Sequence, residues 1–450
     1  MTDVTVRQFA DVVGLPVDRL LAQLGEAGLS VTDADDTISD KEKAQLLSYL
    51  RKSHGKSESL SVSQPKRVTL KRKSHSELRT TASRTGSART VSVEVRKKRT
   101  YVKRADLMAV EEERLKQEAE EKAKLLAERI EVAGAPGPRA GGEFVLYWAH
   151  HALRAEENPA LDTAAALALR FGLPLLVYQG LGGRHRYNSD RHHRFILESA
   201  RDFAAALESV GQRLYFHLPE DPLAPGPLGA LVARSAVTVS ELYPVPPFPA
   251  WYEGHAAAHP DVPWLLVDAS CNLPMPASRK RPTRAYLFRK AHESEQRERA
   301  AAEWPVPGAW PAPFEGDPGF EPFDLASPLD EAIARCRIDH SLPPVAGTPG
   351  GTGAGYRRWA GFLADGLQKY HRLRNDAALP HGVSRMSPYL HYGCVSPFRI
   401  AREALAQGGP GADKFLDELL TWRELSHHFC YLSESLESFD ALPDWAVRAL

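Results

Sequence analysis

The chain has 450 residues, enough for about three domains. Lys plus Arg and Asp plus Glu number 57 each, so net charge points to no nucleic-acid partner and any basic surface must be local. The four cysteines form no CxxC pair, no apolar run reaches transmembrane length and no signal-peptide core opens the chain, which argues against a disulfide framework, a zinc site or a membrane span and suits a cytoplasmic protein.

Residues 1–52 read as a small unit of short helices. Phe9, Val12, Val13, Leu20, Leu21 and Leu24 supply its apolar positions, and Ser39 with Glu42 makes a capping box ahead of Leu46, Leu47 and Leu50. The unit resembles the N-terminal domain of bacterial translation initiation factor two. The stretches VTLKRKSHSELRT and SVEVRKKRTYVKR resemble the basic region that follows in that factor. Residues 53–142 read as a linker. Over 53–104 it is rich in Ser, Lys, Arg and Thr and poor in large apolar residues, which predicts a disordered or weakly extended basic arm. Two readings of the arm stand: RNA or ribosome contact, and a solvated linker. Over 105–130 opposite charges three or four apart predict a single exposed helix, followed by the Pro/Gly run EVAGAPGPRAGG. No GxxxxGK[ST] occurs, so the factor's GTPase domain is absent and the chain reads as a fusion, natural or engineered.

Residues 143–270 read as an α/β domain. Phe144–Trp148, Leu175–Tyr178, Leu214–Phe216, Val237–Val239 and Trp264–Asp268 are continuous apolar strands. Between them, an Ala/Leu helix follows Asn158-Pro159, and Asp190 can cap a helix whose stripe is Phe195, Ile196, Phe203, Leu207 and Val210. This alternation predicts a buried parallel sheet with helices on both faces. No GxGxxG follows the first strand, so a dinucleotide site there has no support. Residues 271–360 read as a connector with a charged helix Ala285–Arg299, an irregular Pro- and aromatic-rich strap from Trp304 to Pro328, and a flexible glycine run Gly347–Gly355. Arg279, Lys280, Arg281 and Arg284 read either as a DNA-phosphate patch or as a solvated charge run. The His192-His193 and His427-His428 pairs lack acidic partners at ligand spacing, and no metal site is expected.

Residues 361–450 carry the most chemistry. The polar turn Gly382–Pro388 offers amides, hydroxyls and a guanidinium suited to a phosphate, although an ordinary loop reads the same way. Ser396-Pro397 is a helix start, and Phe415, Leu416, Leu419, Leu420 and Phe429 give a helical stripe on which Asp417, Glu418, Arg423 and Glu424 ride.

RNDAALPHGVSRMSPYLHYGCVS followed by KFLDELLTWREL resembles the flavin-binding domain of the DNA photolyase/cryptochrome family, nearest the class II cyclobutane-pyrimidine-dimer photolyases. YWAHHALRAEENPAL resembles the start of the family's antenna domain, with Arg154 and Asn158 at its recurring polar positions. The resemblance implies a Rossmann-like α/β antenna domain, then an all-α domain for flavin adenine dinucleotide (FAD). It leaves the antenna pigment unassigned.

By resemblance, Tyr370 and the turn Val383, Ser384, Arg385, Met386 and Ser387 hold the FAD diphosphate and ribityl part, with Leu416 beside the cofactor. Glu418 faces the lesion bases, Trp422 stacks on bases flipped from damaged DNA, and Arg423 meets a phosphate or fixes the pocket; Trp422 as a core aromatic is the alternative. The implied reaction is light-driven splitting of the dimer by an electron from reduced FAD. Two departures stand out. Class II members usually carry Arg where Trp422 stands, and the family continues with further helices beyond the position of Leu450, so a truncated flavin domain and impaired activity are expected. A photosensor without repair and a ribosome-associated binding module are the competing functions.

Overall fold

The computed structural model describes residues 120–182, 187–379, 381–439, 442 and 444–449, and before them a few single residues and four strands. The chain divides into two compact units, Met1–Leu115 and Lys116–Leu450.

In the first unit β1 (Val4–Thr5) pairs antiparallel with β2 (Thr37–Ile38). The helices and the Ser39–Glu42 capping box expected there lie outside the described residues. β3 (Val68–Arg79) and β4 (Thr90–Tyr101) form an antiparallel ladder running from Val68↔Tyr101 to Arg79↔Thr90. The basic arm therefore carries a paired hairpin rather than a disordered or weakly extended segment. Composition registers the lack of apolar bulk, but ladder hydrogen bonds are made by the backbone, and Val91, Val93 and Val95 already alternate at strand period.

The second unit begins with a helix whose last residues are 120–127, then β5 (Ile130–Ala133). The helix expected over 105–130 thus ends earlier, and the expected linker contains a strand too short to announce itself by pattern. β6 (Phe144–Trp148), β7 (Leu175–Gly180), β8 (Leu214–His217), β9 (Ser235–Glu241) and β10 (Trp264–Val267) are the apolar runs of the sequence. They pair in parallel in the order β5-β10-β9-β6-β7-β8, with β5 antiparallel on the β10 edge.

Alternation along the strands serves two cores. Val145, Tyr147 and Val177 face α1 (Pro159–Phe171) and α2 (Asp190–Glu208), while Phe144, Leu146 and Tyr178 face α3 (Leu228–Arg234). Asn158 caps α1: its Oδ1 accepts from the amides of Ala160 and Leu161, both at 3.1 Å, and Gly172 closes the helix at φ 64°. The cap of α2 is Ser189, one residue before the expected Asp190, whose carboxylate instead meets His340 Nδ1 at 2.7 Å.

Beyond β9 come α4 (Phe248–Ala258), α5 (Ala285–Ala301), α6 (Leu329–Arg335) and α7 (Thr352–Asp365). The strap between α5 and α6 bonds to the sheet: the Leu175 amide donates to Ala312 O and the Phe314 amide to Leu175 O, both at 2.9 Å. The glycine run is no flexible linker. Its end starts α7, and the amides of Gly350, Gly351 and Gly353 donate to Glu198, Ser199 and Asp202 of α2 at 2.7, 3.0 and 2.9 Å. A Cβ on Gly350 would lie 2.1 Å from Phe195 O, so the run is glycine-rich because backbone meets backbone there.

The helical part continues with α8 (Tyr370–Leu373), α9 (Ser387–His391), α10 (Pro397–Gln407), α11 (Gly409–Leu416), a π-helical turn Asp417–Arg423 and α12 (Glu424–Tyr431). Its core gathers Trp359, Phe362, Ile400, Phe415, Leu416 and Leu420. The α/β and helical parts are joined by a buried guanidinium. Arg154 donates to the carbonyls of Gly393 at 3.1 Å and Ala269 at 3.0 Å. No helix among the described residues is long and apolar enough to cross a membrane.

Candidate functional site

The polar turn and the π-helical turn close on one cavity of about 380 Å³. Tyr370, Ser384, Met386 and Ser387 form one wall; Phe415, Glu418, Leu419, Arg423 and His427 form another. The π-turn decides which side chains arrive. In an uninterrupted α-helix Glu418 and Trp422 would share a face. The i→i+5 spacing of a π-turn instead places Glu418 and Arg423 on the cavity wall and turns Trp422 aside. Trp422 lies outside the cavity lining and is 48 % exposed, so it is not a core aromatic.

Charge in the cavity is organised around Glu418. Its Oε1 pairs with Arg374 Nη1 at 2.9 Å and Lys414 Nζ at 2.8 Å. Asp417, one residue earlier, pairs with Lys414 and Arg289; burial pushes its carboxyl up, but these cations outweigh it and hold it below the usual range. Arg423 Nη1 donates to Ser270 O at 2.7 Å, which fixes the guanidinium against the end of the α/β domain. Burial, with Arg423 and His428 beside it, keeps the His427 imidazole well below its ordinary pKa and therefore neutral near pH 7.

The expected site residues separate. Tyr370, Ser384, Met386, Ser387, Glu418 and Arg423 meet at the cavity. Leu416 is buried in the helical core instead of lining the cavity. Val383 and Arg385 line a different groove on the outer side of the turn, because Arg385 sits in the left-handed region at φ 52° and reverses the chain before buried Met386.

Sequence reasoning passed over Tyr243 and His391 and weighed His427 only as a metal ligand. Tyr243 follows β9 at the carboxyl edge of the sheet, where open α/β sheets gather ligands, and that position was a readable signal. Tyr243 Oη and His391 Nδ1 stand 3.2 Å apart, and both residues also line a second cavity of about 290 Å³. That cavity lies where the strand order reverses around β6. Beneath it Glu241 accepts from Tyr147 Oη at 2.6 Å and from the His150 amide at 3.1 Å, and His150 Nδ1 meets His151 Nδ1 at 2.6 Å. Burial keeps both imidazoles neutral, the His151 one strongly so. Among the described residues no three His, Cys, Asp or Glu side chains stand together as metal ligands.

An open, mostly parallel sheet followed by a helical domain that walls a cavity of mixed polar and apolar lining defines an α/β-plus-α protein. The chain belongs to the DNA photolyase family. It is 30% identical over 325 residues to the deoxyribodipyrimidine photo-lyase of Methanothermobacter thermautotrophicus, covering 72% of this chain and 69% of that protein. The DNA photolyase family profile matches residues 145–238.

The translation initiation factor IF-2 N-terminal region matches residues 1–53, and the IF-2 associated region matches residues 65–104. The IF-2 of Alcanivorax borkumensis is 51% identical over 112 residues, which is 25% of this chain and 12% of that factor. Two solved structures are similar to the chain. A bacterial class III photolyase from Agrobacterium tumefaciens matches at TM-score 0.49 and 17% identity, covering 67% of this chain and 62% of that one. The Sulfolobus tokodaii photolyase, solved with two FAD molecules, matches at TM-score 0.44 and 16% identity, covering 64% of this chain and 59% of that one.

Proposed function

We propose that this chain is a flavin-dependent photolyase that splits cyclobutane pyrimidine dimers in DNA. The observation that carries the reading is the cavity itself. In a chain of the DNA photolyase family, the turn Ser384–Ser387 meets Glu418 and Arg423 of the π-turn across one space.

The donor set fits FAD. Ser384 and Ser387 offer hydroxyls and Arg423 a guanidinium to a diphosphate, while Met386, Leu390, Phe415 and Leu419 offer an apolar floor to a flat ring. Bound reduced FAD would supply the light-driven one-electron chemistry. The chain's residues supply the setting. Glu418 presents a carboxylate held by Arg374 and Lys414 toward the place a base would enter. Trp422, exposed outside the cavity lining, is the stacking surface the reading assigns to a base withdrawn from the duplex, a step that costs least at a damaged pair. Ser270, through its carbonyl, anchors Arg423 Nη1 at the cavity wall.

The test is the absorption spectrum of the purified chain, followed by illumination with a dimer-containing oligonucleotide. A flavin spectrum with light-dependent loss of dimers is expected. Flavin without repair would favour a photosensor, and a colourless protein that binds no added flavin would remove the reading.

A further inference from the structure

The chain leaves β10 through Asp268–Leu273, a stretch without helix or strand that is buried throughout. Buried carbonyls need donors, and here each one is served by a side chain from elsewhere. Arg129, ahead of β5, donates through Nη1 to Asp268 O at 3.3 Å and Cys271 O at 2.7 Å, and through Nη2 to Asn272 O at 3.2 Å. Arg154 donates to Ala269 O at 3.0 Å. Arg423 donates to Ser270 O at 2.7 Å, and His428 Nε2 to Leu273 O at 3.1 Å. The amides of Asn272 and Leu273 in turn donate to Glu424 at 2.6 and 3.2 Å. The loop is therefore held by Arg129 on one account and by the π-turn and α12 on the other.

Those same helical residues carry the cavity wall. Arg423 lines the cavity, and His427, another wall residue, sits between Glu424 and His428 on α12. Arg129 itself is buried, and its planar fork reaches three carbonyls at once, which a lysine ammonium does not reproduce. We infer that Arg129 is a positioning residue for the cavity: it fixes the loop Asp268–Leu273, and the loop sets Arg423 and Glu424. The residues ahead of β5 thus help to build a site that none of them touches. Coupling of this kind is reciprocal, so a ligand in the cavity should hold the segment around Arg129 in place by the same factor by which Arg129 tightens the ligand. The inference takes its ligand from the flavin reading and its positioning argument from the loop alone.

The test combines FAD titration with hydrogen–deuterium exchange on the full chain, with and without FAD. In Arg129→Gln, exchange without FAD should quicken over residues 268–275 and also over 417–428, because the loop no longer braces the wall. FAD should bind about tenfold more weakly, the usual scale of a coupling between two places. Arg129→Lys keeps the charge without the fork and should fall between Arg129→Gln and the unaltered chain in both measurements. In the unaltered chain, FAD should slow exchange over residues 120–133. The control Val232→Ala removes buried bulk from α3; it should lower the melting temperature while leaving FAD affinity and exchange over 417–428 unchanged. Arg129→Gln that quickens 268–275 and leaves 417–428 at the unaltered rate would overturn the inference, as would an equal loss of FAD affinity in Val232→Ala. If Arg129→Gln does not fold, Arg129→Lys carries the same comparison. If the unaltered chain binds no FAD, the flavin reading falls, and exchange over 417–428 without ligand decides the positioning role by itself.

Discussion

Glu418 and Trp422 sit four residues apart in sequence, and the proposed function gives them different work. Trp422→Ala should weaken binding of dimer-containing DNA by about 1–3 kcal/mol and leave intact DNA nearly unchanged, because stacking is available only to withdrawn bases. Paired affinities check it, and equal losses on both duplexes would assign Trp422 to a general contact. Glu418→Ala should spare binding and lower repair per absorbed photon, measured as quantum yield.

Glu424 is the residue whose titration the fold controls. Burial raises its carboxyl to about 7, against the amides of Asn272 and Leu273 and the side chain of Gln296, which pull it down. Between its ordinary 4.5 and about 7 the folded state holds a proton that the unfolded state has lost, so this group's contribution to stability falls as pH rises through that window. Neutral buried His151 and His427 act oppositely: their contribution is present above about 6.5 and is lost as pH falls. The difference between melting curves of the unaltered chain and Glu424→Gln, followed from pH 5 to 8, should isolate the falling component; parallel curves would show that Glu424 does not titrate there.

At the scale of elements, the π-turn is the piece that builds the cavity. Deleting Thr421, a buried residue inside it, would return the helix toward α spacing. Every residue after it would rotate, and Glu424 would leave the amides of Asn272 and Leu273, so both a lower melting temperature and loss of flavin are expected. Retained flavin at full stability would show that the turn is not what sets the wall. The start of α1 offers a quieter case. Asn158 caps the helix and also donates to Tyr147 Oη and to the carbonyls of Ala152 and Arg154, so Asn158→Ala should cost about 2 kcal/mol or more in chemical denaturation. Antenna-domain polarity had marked Asn158 from sequence, and its work is structural.

For the whole molecule, the position of β5 matters most. Arg129, just before it, is buried and donates to the carbonyls of Asp268, Cys271 and Asn272, at 2.7 Å for Cys271, with Phe398 4.8 Å from its guanidinium. A fragment from residue 116 onward should therefore melt above one from residue 143 onward, which exposes the β10 edge and leaves those carbonyls unpaired. Coincident melting of the two fragments would place β5 and Arg129 outside the stable core.

Much of this architecture was legible in the residues. The five parallel strands are buried on both faces, so each must be a continuous apolar run, and the Asn158 and Ser396 caps carry their own local chemistry. The motif pair around Ser384 and Glu418 likewise announced the family, since its residue types recur in one order. Pairing, register and direction are different in kind. β5 has only four residues, and β3 with β4 is held mainly by backbone groups that every residue type shares, with only the short alternation Val91, Val93 and Val95 in a basic stretch, so neither is announced by a continuous apolar run. That Gly350 packs on Phe195 O, that Arg385 faces outward, and that Arg423 replaces Trp422 on the wall are decided by close backbone approach, one left-handed φ and one wide helical turn. Such choices depend on atoms brought together from distant parts of the chain, and only the tertiary structure contains them.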